Sequence, residues 1–440
     1  MKRLSAATLS EAVGADLPRY DRTAPVTIVH LGVGAFARAH VAVYADELLR
    51  SGWPATVAGV SLRSPRAEAQ LGPQDGLFSV TEREPSAPPA TRVIGSLTSI
   101  ETGTDAARRR IADPATTLVT LTVTEKGYEL DGPDAAPAVL AAALDERRDR
   151  TNGVLVIASL DNLLDNGHVL RDRVLRAAEE RSGGLRAWID EHVRFPRSVV
   201  DRMVPATTLA DRAEVAGRLG LIDEAATTAE AHRSWVLEAA DGLPPLGDAG
   251  VEIVDDIEPY QQRKLWLLNG PHSALAYVGL LAGHRTVADA ATNPSIDRFV
   301  RRFVDDVLAV APEDGATSAF AAQSLRRFAN PALGHTCAQV GADGSRKLPQ
   351  RLLPVMAQRV AREMSTDRFD LVVAAWLVAV TSAAVEDPAA AAVRDAMRRG
   401  GAEAAVVDAF GAEHGDLAAR IADAHHRIVR DGLGALEERS

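Results

Sequence analysis

The β-branched run Val26-Thr-Ile-Val-His-Leu31 ends in Gly32-Val33-Gly34, and the apolar positions that follow, through Leu49, take helical spacing. This pattern predicts strand, tight turn, helix. Further strands are predicted at Thr56 to Leu62, Thr117 to Thr124 and Val154 to Leu160, with a helix at Ala135 to Arg148. Parallel strands need crossover connections, so strands separated by helical stretches predict a parallel sheet covered on both faces. Beyond about residue 262 the β-branched runs nearly vanish and Ala, Leu, Arg and Glu dominate, as in 299–311, 352–364 and 369–385. Those stretches predict helices. The run Val251-Glu-Ile-Val254 gives way to a turn at Pro259, which places a boundary near 258. The expected chain is α/β over 1–257 and mainly α-helical over 258–440.

Composition narrows the classes. Of 440 residues, 46% are hydrophobic and 25% charged, which excludes general disorder and fibrous repeats. Lys and Arg number 49 against 60 Asp and Glu, a net charge of −11 that disfavours a nucleic-acid surface. The single cysteine, Cys337, excludes an intrachain disulfide framework and Cys-rich zinc or iron–sulfur sites, and fits a reducing, cytoplasmic setting. Histidines 335, 425 and 426 lack the spacing to paired carboxylates that a metal site needs, so no catalytic metal is expected. The start, Met1-Lys-Arg-Leu-Ser5, is followed by no apolar core of a secretory signal. The longest mainly apolar run, Leu371 to Val385, is shorter than the roughly 20 residues of a membrane helix and reads as a buried core helix. No membrane partner is expected.

Candidate chemistry begins at Gly32-Val-Gly34-Ala-Phe-Ala37, a GxGxxG/A pattern directly after a strand and opening a helix. Gly32 would make the tight turn, and Gly34 would let the backbone approach a pyrophosphate at the helix N-terminus. A glycine turn needed only for strand-to-helix packing is the alternative. Where NAD-binding sheets carry an acid for the ribose hydroxyl, the second strand ends Ser61-Leu62-Arg63-Ser64. Arg63 either pairs with the extra phosphate of NADP or is a solvated loop arginine. In Lys264-Leu-Trp-Leu-Leu-Asn269-Gly-Pro-His272, an unbroken helix would put Asn269 about 140° and His272 about 80° from Lys264, on one side. Pro271 is expected to kink or restart that helix. An ordinary amphipathic helix with a core histidine is the alternative. Ser159-Leu-Asp161-Asn162 ends the fourth strand, where open α/β sheets bind ligands, or else caps a helix. Asp201 and Arg202 stand side by side, as a pocket acid or a surface ion pair.

Taken together, the segments HLGVGAFARAH (30–40), TVTEKGYEL (122–130), SLDNLLDNG (159–167), FPRSVVDRMVPAT (195–207), KLWLLNGPHSALAYVGLLAG (264–283) and DGSRKLP (343–349) resemble, in order, the polyol-specific long-chain dehydrogenases, the mannitol dehydrogenase and fructuronate reductase family. The resemblance implies a Rossmann-type doubly wound parallel sheet, a helical C-terminal domain and metal-independent hydride transfer in a cleft between them. It implies Lys264 as catalytic lysine, Asn162 and Asn269 as oxyanion-holding amides and His272 as substrate-orienting imidazole. Asp201 and Lys347 fall on substrate-pocket positions. Gly32, Gly34, Ala35, Phe36, Arg63 and Glu125 form the expected cofactor set, with NAD as cofactor and NADP left open. Two departures stand out. The family's glutamate three residues before the lysine is Gln261, so proton escape needs Glu258 or water. The mannitol branch's arginine is Gln339, which, with Lys347-Leu-Pro-Gln-Arg351, brings the chain closer to the fructuronate reductase branch.

The expected reaction is therefore interconversion of a keto-sugar acid, D-fructuronate, with D-mannonate, the carboxylate being met by Arg346, Lys347 or Arg351. The alternatives are a neutral-polyol enzyme such as mannitol 2-dehydrogenase, and an inactive dinucleotide-binding protein. The expected partner is a small sugar acid or polyol, and the expected state a monomer or weak homo-oligomer.

Overall fold

The computed structural model describes residues 1–84, 87–124, 127–128, 132–312, 315–411 and 415–436. The chain divides into two compact units, Met1–Ile257 and Glu258–Ser440.

The strands of the first unit, among the described residues, are β1 (Val26–Leu31), β2 (Thr56–Ser61), β3 (Phe78–Glu84), β4 (Ala87–Ile94), β5 (Leu97–Thr102), β6 (Leu118–Leu121), β7 (Leu155–Ser159), β8 (Val193–Arg194), β9 (Ser198–Asp201), β10 (Thr227–Glu230), β11 (Ser234–Glu238) and β12 (Glu252–Val254). Six form a sheet in the order β5-β2-β1-β6-β7-β8, every neighbour parallel. This is the doubly wound order, with β5 holding the third place, and the strand order reverses at β1/β6, where such sheets bind ligands. Alternate side chains of the strands feed two cores. Ile28, Val57, Leu118, Val156 and Ala158 pack on one face with the helix Val41–Arg50. Val29, Leu31, Val119, Leu121, Leu155 and Ile157 pack on the other with helices Ala136–Arg148 and Asn166–Glu179. A period of two with both faces apolar is what a sheet covered by helices on each side requires.

All four strands predicted from the β-branched runs are present, within a few residues. The helix predicted through Leu49 is broken. It runs Ala35–Ala39, stops at His40, whose φ −121° and ψ −88° are not helical, and resumes as Val41–Arg50. Two three-stranded sheets, β10-β3-β4 and β12-β11-β9, carry no β-branched run long enough to announce them. Buried Asp223 ties the first of these down, accepting hydrogen bonds from Gln74 Nε2, Ser79 N and Oγ, and Ala225 N.

The second unit is helical throughout its described residues. Its centre is Asp367–Thr381, buried nearly all round, as a helix apolar on every side must be. The apolar run expected to extend to Val385 stops earlier because Ala383 takes a left-handed φ of 58°. No helix among the described residues is long and apolar enough to cross a membrane.

Candidate active site

In the first unit the glycine turn is held from below. Thr122 Oγ1 donates to the Gly32 carbonyl at 2.8 Å, and the buried His30 ring bridges Thr120, Thr122 and that same carbonyl. Burial pushes the His30 pKa down to about 4, so the imidazole is a neutral strut. The two glycines differ in kind. Gly32 has φ +100°, and a Cβ there would stand 2.3 Å from the Thr122 carbonyl oxygen. Gly34 has ordinary φ, and a Cβ there would meet nothing within 4 Å. Open space above Gly34, at the carboxyl end of β1, is the cradle a pyrophosphate needs, so these residues fit a dinucleotide.

A cavity of about 500 Å³ opens there, lined by Gly32, Gly34, Ala35, Arg38 and Arg63 together with Arg66 and Arg212. Of the expected cofactor set, Phe36 is not in this lining; its ring stacks on His40 at 4.8 Å. Glu125 lies outside the described residues. His40 Nε2 donates to the Ser234 carbonyl at 3.0 Å, and burial drives its pKa to about 3.

Asn162, directly after β7, is exposed, and its neighbour Asp161 is buried. Asp161 accepts from the backbone N–H groups of Val123 and Thr124 and from the Tyr128 hydroxyl. The loop after β6 is thereby fastened to the loop that carries Asn162. Asp201 ends β9, with His232 Nε2 3.5 Å from its Oδ2. The surface ion pair left open as the alternative for Asp201 and Arg202 is not formed. Successive residues of a strand point to opposite faces, and Arg202 turns to Glu82 and the Glu230 carbonyl.

In the second unit Lys264 closes the helix Glu258–Lys264, Leu265–Asn269 forms a π turn, and Gly270–Leu281 continues as α-helix. Pro271 thus stands at the second position of a restarted α-helix, after a π turn rather than a break in the chain's course. The π turn, sealed by Gly270 N–H to the Leu265 carbonyl, widens the helix just where the proline ring would collide with the preceding turn. It also changes the expected angle. An i→i+5 turn carries Asn269 roughly one full turn from Lys264, closer to the same meridian than an α-helix would bring it.

Asn269 is 8% exposed, and its Nδ2 is a buried donor with no hydrogen-bond partner among the described residues. Arg351, equally buried, donates to Ser273 Oγ at 2.9 Å and to the Asn269 carbonyl at 3.4 Å. His272 stacks on Phe328 at 4.9 Å, with His335 at 6.2 Å. Desolvation, followed by the like charges of His335, Arg351, Arg327 and Lys347, pushes its pKa down to about 3. Lys347 donates to the Ala342 carbonyl at 2.6 Å. Its helix, Gly344–Arg351, is seated by Asp387, which accepts from Ser345 and from Trp376 Nε1. Gln339 is exposed and spends its side-chain oxygen on a capping box with Thr336. Gln261 is buried, with Nε2 unpaired among the described residues.

The structure thus gathers Asn269, His272, Lys347 and Arg351 around one another. Sequence reasoning missed Arg327 and His335, which join them, and Arg38 and His232 in the first unit. Only Arg38 gave a signal, a cation within an otherwise apolar first helical turn.

Comparison with known proteins identifies the family. The family model described as the mannitol dehydrogenase Rossmann domain matches residues 26–245, and that of the mannitol dehydrogenase C-terminal domain matches 256–437. D-mannonate oxidoreductase of Escherichia coli (strain K12) is 35% identical over 384 residues, covering 80% of this chain and 79% of its own. Mannitol 2-dehydrogenase of Cereibacter sphaeroides is 33% identical, covering 96% and 98%. The solved mannitol 2-dehydrogenase of Pseudomonas fluorescens, a ternary complex with NAD and D-mannitol, superposes with a TM-score of 0.88 at 28% identity, covering 99% and 98%. Fold and site define a nicotinamide-dependent oxidoreductase of CH–OH groups. The chain belongs to the mannitol dehydrogenase family.

Proposed function

We propose that the protein interconverts D-fructuronate and D-mannonate, with NAD as hydride carrier held by the first unit. The observation that carries this reading is the cationic surround of His272, where Arg351, Lys347, Arg327 and His335 all act on one imidazole. A substrate carboxylate is the counter-charge such a surround suits, and guanidinium can meet it bidentately. The mannonate-acting relative supports the same choice.

The bound nicotinamide supplies hydride to the keto carbon. Charge then develops on the carbonyl oxygen, and Lys264 donates the proton that neutralises it. The unpaired Nδ2 of Asn269 is a donor already stripped of water, so it holds that oxygen without reorganising; Asn162 is assigned the second such bond. His272, neutral at working pH, orients a substrate hydroxyl. In the oxidative direction Lys264 must accept a proton, which requires its neutral form. Gln261 cannot relay that proton, which leaves by exposed Glu258 or by water.

Steady-state kinetics with fructuronate and fructose side by side test the proposal. A kcat/KM for fructuronate at least about tenfold above that for fructose is expected from one charge-assisted contact. Equal or better turnover of fructose would replace it with the mannitol 2-dehydrogenase reading.

A further inference from the structure

We propose that Arg38 is a phosphate-binding residue that meets the bridging diphosphate of the dinucleotide. This rests on the first unit's reading as the dinucleotide-binding part and assigns a residue outside the glycine turn.

Arg38 lies one helical turn after Gly34 and is 8% exposed. Its Nε donates to Thr227 Oγ1 at 3.1 Å and its Nη1 to the Val33 carbonyl at 3.4 Å. Thr227 is fixed in turn by its bond to the Ala225 carbonyl at 3.3 Å. Both partners of Arg38 are neutral, and it makes no ion pair among the described residues. Asp223, the carboxylate that acts on it electrostatically, is already occupied by Gln74, Ser79 and Ala225. Arg66 and Arg212 oppose its charge.

A guanidinium buried without a counter-ion destabilises the fold, and chains keep such a group where an incoming anion completes the pair. The geometry names the anion. Arg38, Gly32 and Gly34 line the same cavity, Nη2 has no hydrogen bond among the described residues, and a diphosphate at the glycine turn lies within the fork's reach. Arg63 and Arg66, at the end of β2, are the separate place for any 2′-phosphate.

The test measures binding of ADP, 2′-AMP, adenosine and NADH to wild type, Arg38→Met and Arg38→Lys by calorimetry, with the thermal midpoint of each ligand-free protein. Arg38→Met is expected to weaken ADP and NADH by about 10- to 100-fold, with adenosine and 2′-AMP changed less than about threefold. Arg38→Lys is expected to recover part of the loss. The ligand-free midpoint of Arg38→Met is expected not to fall, since a purely structural arginine would lower it. Equal losses for adenosine and ADP, a loss confined to 2′-AMP, or unchanged ADP affinity would each overturn the role of Arg38. If wild type itself binds neither NADH nor ADP, the dinucleotide reading falls first and this inference with it.

Discussion

Gly32 and Gly34 stand two positions apart and answer to different constraints. Gly32 is required by the protein itself, through its positive φ and the Thr122 carbonyl beneath it; a Cβ at Gly34 meets nothing in the protein, and the proposed role of that glycine is toward the dinucleotide. Gly32→Ala is therefore expected to cost at least about 2 kcal/mol of stability in urea titrations, while Gly34→Ala leaves the midpoint unchanged and weakens NADH binding. Equal destabilisation by both would contradict this division. The proposed catalytic groups separate in the same manner. Lys264→Ala is expected to lower kcat by about 10²- to 10⁴-fold, with NADH affinity nearly intact, and retained turnover would refute its role. Asn269→Ala removes a buried donor that no described residue satisfies, so a loss of about 10²-fold in kcat should come without a loss in thermal midpoint.

At the scale of elements, the π turn Leu265–Asn269 sets the direction in which Lys264 and Asn269 face. Deleting Leu265 would return the segment to α-helical winding, with Lys264 and Asn269 four residues and about 40° apart, still on one side, but with the Pro271 ring driven against the turn before it. A loss of about 3 kcal/mol of stability in urea titrations is expected, and an unchanged midpoint would show that the π turn does not serve to accommodate the proline. The turn was not legible in the sequence, because one surplus residue leaves the apolar periodicity of a short buried segment unchanged and only Pro271 hinted at irregularity. Strands β1, β2, β6 and β7 were legible because each is a β-branched run buried on both faces. Strand β4 was not, since Pro88 and Pro89 argue against a strand and are tolerated only near an edge. Strands β9 to β12, of three to five residues each, fall below the length at which a period of two can be read. Arg38 was legible only in part, since the sequence shows a cation in an apolar helical turn while its lack of a counter-ion among the described residues is a property of the fold.

Across the whole molecule, buried histidines and a buried carboxyl respond to acid with opposite sign. His30 and His40 in the first unit have pKa values of about 4 and about 3, below the roughly 6.5 of an unfolded chain. The unfolded state then binds more protons, so this stabilisation is complete above about pH 6.5 and is lost as pH falls, by up to about 1.4 kcal/mol per pH unit for each ring. Asp370 in the second unit is raised to about 6 by burial, Thr366 and Arg420 only partly offsetting it. Asp370 then binds its proton more tightly in the folded state, so its own contribution favours folding as pH falls, against that of His272 in the same unit, lowered to about 3. Calorimetry at pH 7 and pH 5 should show the first unit's transition moving down. Asp370→Asn should be more favourable at pH 7.5 than at pH 5, and an identical effect at both would contradict the assignment. The surplus residue in the Lys264 helix has a consequence for how such an enzyme diverges. An ammonium and a carboxamide five residues apart share a side here through the wider winding between them, so a lineage that lost the surplus codon would keep both groups aligned on a helix one residue shorter, a change that no series of point substitutions reproduces.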